Sequence, residues 1–181
     1  MRPPGEALAV GIGGDDAAPV EIGVGPGARI VVAGPAESGR TTALRRLAAG
    51  LEARGRAVRW LDADAPADAA AEPRPGGALV VDDADDLPAA AAECVARAWR
   101  ARDGVVVAAV RSAALAAAFH GLAADLRGAR TVLLLAPLHG GTAHLPPGDV
   151  LPHADPAHPR HPGRGVLVEP RRAVPVQVPG G

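Results

Sequence analysis

VVAGPAESGRTTALRRLAAGL, residues 31–51, passes from an apolar strand through a glycine-containing turn into an amphipathic helix. Within it, Gly34-Pro35-Ala36-Glu37-Ser38-Gly39-Arg40-Thr41 matches the phosphate-loop pattern G-x-x-x-x-G-K-[ST] at every fixed position except the lysine, which is Arg40. The pattern has a physical basis: backbone N–H groups must turn toward phosphate oxygens, with the positive end of a helix behind them. Glycines permit that turn, and Thr41 supplies a hydroxyl for Mg2+. Arg40 keeps the positive charge, but a guanidinium is a broad planar fork where lysine carries a compact ammonium. Glu37 adds a negative charge nearby. The plainer alternative is a glycine turn that merely joins a strand to a helix, and the strand–turn–helix setting weighs against it. The candidate ATP-binding residues are therefore Gly34, Pro35, Ala36, Glu37, Ser38, Gly39, Arg40, Thr41 and Thr42.

Downstream, ALVVDDADDL (78–87) runs four apolar residues into Asp82, as expected of a strand that delivers a carboxylate to a metal ion. Thr41 and Asp82 are the candidate Mg2+ residues. Asp83 stands where many such ATPases place a glutamate that activates water, and it is the candidate catalytic carboxylate. Aspartate is one methylene shorter, which limits its reach. Asp85 and Asp86 read as a solvated acidic turn ahead of a helix, where negative charge suits the dipole. His153, His158 and His161 lie in a proline-rich stretch and read as a linker rather than a metal site. Cys94 shares an apolar helical face with Val95 and Trp99 and reads as packing.

Strands and helices alternate along the chain. Strands are expected at 29–33, 57–61, 78–82, 104–110 and 131–136, with helices at 42–53, from Pro88 to Arg102, and from a Ser112 cap to Arg127. Continuous apolar strands separated by helices predict an α/β fold, a mostly parallel sheet sandwiched by helices. Residues 1–28 carry short lead-in strands of the same domain, 29–136 form its core, 137–165 are a Pro/Gly/His-rich loop, and 166–181 suggest a terminal β-hairpin. At 181 residues and 48% hydrophobic the chain can bury a core, and with two Trp, one Phe and no Tyr that core must be Val, Leu, Ile and Ala. Nineteen basic against 20 acidic residues argue against a strongly cationic nucleic-acid surface. Every basic residue is arginine, so composition alone accounts in part for Arg40. A lone cysteine, no bilayer-length apolar run and no signal-peptide pattern make cytoplasmic the expected location.

In order and spacing these pieces resemble an ATPase module of the FtsK/SpoIIIE type, particularly the shortened C-terminal modules of actinobacterial multi-domain members. Those include type VII secretion ATPases of the EccC kind and FHA-linked relatives. VGIGGDDAAPVEIGVGPGARIVVAGPAESGRTTALRRLA looks like the lead-in strands, phosphate loop and first helix, and LVVDDADDL like the acidic strand. VVVAAVRSAALAAAFHGLAADLRGARTVLLLAPL resembles the segment with the last core strands, and GRGVLVEPRRAVPVQV the closing hairpin. The resemblance implies a RecA-like P-loop NTPase using ATP and Mg2+. It also implies that strand 104–110 lies between the loop strand and the acidic strand, so that Arg111 faces the terminal phosphate; a solvated arginine at a strand end is the plainer reading. Motor-competent members carry lysine in the loop and an Asp-Glu pair on the acidic strand, where this chain has Arg40 and Asp82-Asp83. The implied role is an ATP-binding module, degenerate and regulatory, in a ring assembly that moves DNA or secreted protein. An active motor domain and a nucleotide-free interaction domain are the alternatives. The implied partners are other ATPase modules or subunits, with DNA by family analogy alone. Contact with the inner face of a membrane would come only through other domains or subunits.

Overall fold

The computed structural model of the protein describes residues 6–14, 16–64, 76–137, 161–170 and 172–180. Strand β3 (Arg29–Gly34) sits inside the sheet and shows how the molecule is layered. Its alternate residues enter different cores. Ile30 and Val32 pack with Leu44, Leu47 and Leu51 of helix α1 (Arg40–Glu52). Val31 and Ala33 pack with Val95 and Trp99 of α2 (Ala89–Ala101), Leu115 of α3 (Ser112–Ala117) and Leu126 of α4 (Gly121–Arg127). A strand covered on both faces needs an apolar residue at every position, which explains the unbroken run IVVA. Helix α1 turns Ala43, Leu44, Leu47, Ala48 and Leu51 inward while Arg45, Arg46 and Glu52 stay exposed.

Among the described residues, nine strands form one sheet in the order β2-β1-β9-β8-β7-β3-β6-β5-β4. The parallel part comprises β7 (Thr131–Leu135), β3, β6 (Val105–Arg111), β5 (Ala78–Val81) and β4 (Val58–Leu61). Strand β6 thus separates the loop strand from the acidic strand, as the resemblance implied. The remainder is antiparallel: β8 (Arg164–Glu169) pairs with β7, β9 (Arg172–Gln177) with β8, β1 (Ala7–Gly13) with β9, and β2 (Ala18–Gly23) with β1. The lead-in strands and the terminal hairpin, distant in sequence, therefore share one sheet.

Several boundaries differ from the sequence reading. The helix expected over 112–127 is two helices, broken at residues 118–120 and restarted at Gly121 with φ +69°. Ser112 does not cap: Arg111 holds the N-cap position with no side-chain cap, and Ser112 is the first helical residue, buried. Pro88 is the N-cap of α2 rather than its first helical residue. Strand β8 begins at Arg164, inside the expected loop, and residues 138–160 of that loop lie outside the described residues. The core is aliphatic as expected, with Phe119 86% exposed and Trp99 buried. No helix among the described residues is long and apolar enough to cross a membrane.

Two polar contacts hold elements that the site depends on. At the start of β3, the Arg29 guanidinium donates to the carbonyls of Ala98, Trp99, Ala28 and Gly104 at 2.6–2.9 Å. It thereby satisfies carbonyls at the C-terminal end of α2, where a cation also complements the helix dipole. Burial, and then the neighbouring Arg102, lower its pKa from the usual arginine value. At the other end of β3, the turn that follows is braced from outside. Gly163 N–H donates to the Ser38 carbonyl at 2.8 Å, and Val178 N–H donates to the Gly163 carbonyl at 2.8 Å. The terminal hairpin thus supports the outer side of the glycine turn.

Arg29→Ala should lower stability by about 2 kcal/mol or more, since it orphans helix-end carbonyls, whereas exposed Arg130→Ala should change it by about 0.5 kcal/mol or less; urea unfolding of both variants checks the contrast. Gly39→Ala should also destabilise, by about 2 kcal/mol. Gly39 has φ +94°, and a Cβ there would lie 2.9 Å from Gly163 N. The same unfolding measurement reads that loss.

Candidate nucleotide-binding site

Strands β3, β5 and β6 run parallel, so Gly34, Asp82 and Arg111 arrive at one edge of the sheet, with Gly34 directly opposite Arg111. Carboxyl ends of parallel strands form the crevice in which open α/β sheets hold ligands. The chain leaves β3 through residues 35–38 and enters α1 at Arg40, with Gly39 as a left-handed N-cap. No side chain caps this helix and its first turn carries no acid. The opening amides of α1 are therefore not claimed by a cap, the condition for receiving an anion. Gly34 allows a tight return of the loop, because a Cβ there would lie 2.3 Å from Ser38 Oγ.

Two buried polar atoms in this loop have no hydrogen-bond partner among the described residues: Ser38 Oγ and Arg40 Nη1. Ser38 is 6% exposed. Buried donors left unpaired are costly and uncommon, so each marks a place where an acceptor belongs. A hydroxyl and a guanidinium N–H beside an uncapped helix start fit a phosphate group. Glu37 is exposed in a left-handed conformation with φ +62°.

Opposite the loop stands the acidic turn. Asp82 N–H bonds the Leu61 carbonyl at 2.8 Å, which holds the residue in line with β4 and β5. Its side chain accepts from Thr41 Oγ1 at 2.7 Å through Oδ2 and from Asp83 N–H at 3.0 Å through Oδ1. Thr41 and Asp82 are thus brought together, a hydroxyl and a carboxylate whose oxygens suit Mg2+. Asp83 takes a left-handed conformation with φ +43° and accepts from Arg40 Nη2 at 2.8 Å through Oδ1. The Arg40 side chain is 12% exposed and that of Asp83 44%.

Arg111 reaches the same edge, but its guanidinium is held by Asp85 through Nε and by Asp86 through Nη2. The hydrogen bond and charge of Asp85, then the charge of Asp86, raise its pKa above the usual arginine value. The solvated-turn reading of Asp85 is corrected: its side chain is 5% exposed, and it also accepts from Arg111 N–H at 3.1 Å. Sequence spacing had no means of pairing Arg111 with Asp85 and Asp86, 26 and 25 positions earlier. Cys94 is buried in the core as expected. His161 is exposed, while His153 and His158 lie outside the described residues. Among the described residues no group of three or more His, Cys, Asp or Glu could hold a metal by itself.

No family model and no curated protein sequence matches this chain. Solved structures do match it in fold. The cytoplasmic domain of EssC aligns with a TM-score of 0.75 at 15% identity, covering 97% of this chain and 44% of that one. EssC ATPases 2 and 3 from Geobacillus thermodenitrificans align at 0.73 and 15% identity, covering 97% and 41%. The cytoplasmic domain of the Thermomonospora curvata type VII secretion ATPase EccC aligns at 0.70 and 19% identity, covering 98% and 26%. A further structure, Thermomonospora curvata EccC ATPases 2 and 3 with a signal sequence peptide, aligns at 0.66. The chain spans less than half the length of each. Nearly all of it, from lead-in strands to terminal hairpin, shares the ATPase-domain fold of these EssC and EccC proteins.

Proposed function

We propose that this chain is an ATP-binding module of an FtsK/SpoIIIE-like assembly of the type VII secretion kind, and that its role is regulatory rather than motive. The carrying observation is the meeting of Thr41 and Asp82 at 2.7 Å beside an uncapped helix start. In this reading the amides around Gly39 and the opening of α1 hold phosphates, and Thr41 and Asp82 organise Mg2+. When bound, Mg2+ would neutralise phosphate charge. Asp83 is engaged by Arg40. A carboxylate committed to a guanidinium is poorly placed to take a proton from water, which favours occupancy over turnover. Arg111, held by Asp85 and Asp86, stiffens the acidic turn in the same reading.

The fold likeness to EssC and EccC ATPases supports neighbouring ATPase modules as partners, in a cytoplasmic setting. Nucleotide occupancy then acts by changing affinity for a neighbour, which requires different contacts in the bound and free states. A protein cargo suits the reading better than DNA, since the nearly balanced charge offers no excess of cations for phosphate backbones.

Calorimetry with ATP and Mg2+ tests the proposal. We expect binding below millimolar concentration, and at a hundredfold excess over Kd a stabilisation of about 2.7 kcal/mol in thermal unfolding. Asp82→Ala should weaken ATP binding in Mg2+ about tenfold and much less in EDTA. Absence of binding at millimolar ATP refutes the nucleotide role. Turnover clearly above that of Asp82→Ala, alone or with a partner ATPase, refutes the regulatory one in favour of a motor.

A further inference from the structure

We infer that Asp83 is a positioning residue: it holds one arm of the Arg40 guanidinium so that the other arm meets the terminal phosphate of the bound nucleotide. This rests on the nucleotide-binding reading above and extends it to the two positions where the chain departs from a lysine loop and an Asp-Glu strand. Those departures then form one matched change.

The geometry is that of a divided fork. Nη2 of Arg40 donates to Asp83 Oδ1 at 2.8 Å, while Nη1 is buried without a partner among the described residues. A guanidinium presents its donors in fixed, spread directions, so one group can serve two acceptors at once. The side chain is 12% exposed, and water has little access to complete its hydrogen bonds. Ser38 Oγ, also buried and unpaired, lies in the same loop. Two orphaned polar atoms on one turn point to a ligand rich in acceptors, which is what a phosphate offers.

Asp83 is itself held in place. Its N–H is bound to Asp82 Oδ1 at 3.0 Å, and its carbonyl accepts from Asp86 N–H at 2.9 Å. These bonds keep a left-handed backbone that aspartate tolerates better than most residues. Side-chain lengths agree with pairing as well: the cation is longer than lysine and the facing acid shorter than glutamate, so one change offsets the other. A carboxylate meant to approach an attacking water would gain nothing from losing a methylene.

A different role would follow if Asp83 competed with phosphate for the guanidinium, and binding measurements separate the two. The full chain, Asp83→Ala, Arg40→Lys and the double variant are titrated with ATP and with ADP in Mg2+. Asp83→Ala should weaken ATP about tenfold when Arg40 is present, the scale of one charge-assisted hydrogen bond. The same change in the Arg40→Lys background should alter affinity less than about twofold, and ADP should lose less than ATP. Asp83→Asn keeps an oxygen for Nη2 and suits a left-handed backbone, so it should fold and stay within about threefold of the parent for ATP. Tighter ATP binding by Asp83→Ala overturns the inference, as does an equal change in both backgrounds or an equal loss for ATP and ADP. Failure of the parent chain to bind ATP removes both this inference and the nucleotide-binding reading; binding by the parent with no effect at Asp83 removes this inference alone.

Discussion

The hydrogen bond from Thr41 to Asp82 joins residues 41 positions apart, and it forms only because β3 and β5 point the same way. Both strands are buried between helical layers and, apart from Arg29 at the start of β3, carry only apolar residues. Polar chemistry is pushed to the strand ends, where the backbone leaves the sheet and meets solvent. At that edge the loop contributes amides, a hydroxyl and a guanidinium, and the acidic turn contributes carboxylates. The dry core thus determines where the wet site must lie.

Each arginine at this edge is met by carboxylates, while the edge as a whole carries more acids than arginines. Asp83 is met by Arg40, and Asp85 and Asp86 by Arg111. The two arginines differ in consequence. Arg111 is 48% exposed, and pairs of that kind contribute little to stability. Arg40 is nearly buried, so removal of Asp83 would leave a poorly solvated charge, a costlier outcome. The same partial burial makes an approaching anion a favourable partner for the unpaired Nη1.

Departures from the lysine loop and the Asp-Glu pair look like independent losses when read along the chain. In space they are neighbours in direct contact. Under the proposed regulatory role, that contact is what favours holding over cleaving. Next to the hairpin, Gly163 N–H ties the Ser38 carbonyl and so fixes the outer side of the turn. Under the same proposal, support from the hairpin side would keep the loop in a shape suited to a ligand.

Local pattern was enough to read the core strands, the first helix and the glycine turn between them, because each rests on short-range periodicity or backbone requirements. The run IVVA implies cover on both faces, and a glycine at position 39 permits the left-handed entry that the structure shows. The Thr41–Asp82 association was legible too, since the motif carries it. The break at residues 118–120 was not, because an alanine-rich stretch supports a longer helix, whereas in the structure the chain leaves the helix after Ala117 and restarts at Gly121 with positive φ. Nor were the partners of Arg29, Arg40, Arg111 and Gly163, each set by strand order and by the ends that parallel pairing brings together. Sequence by itself determined which groups are present and which local conformations they favour. Tertiary structure alone decided which charge meets which, because that depends on distances across the sheet that no spacing along the chain encodes.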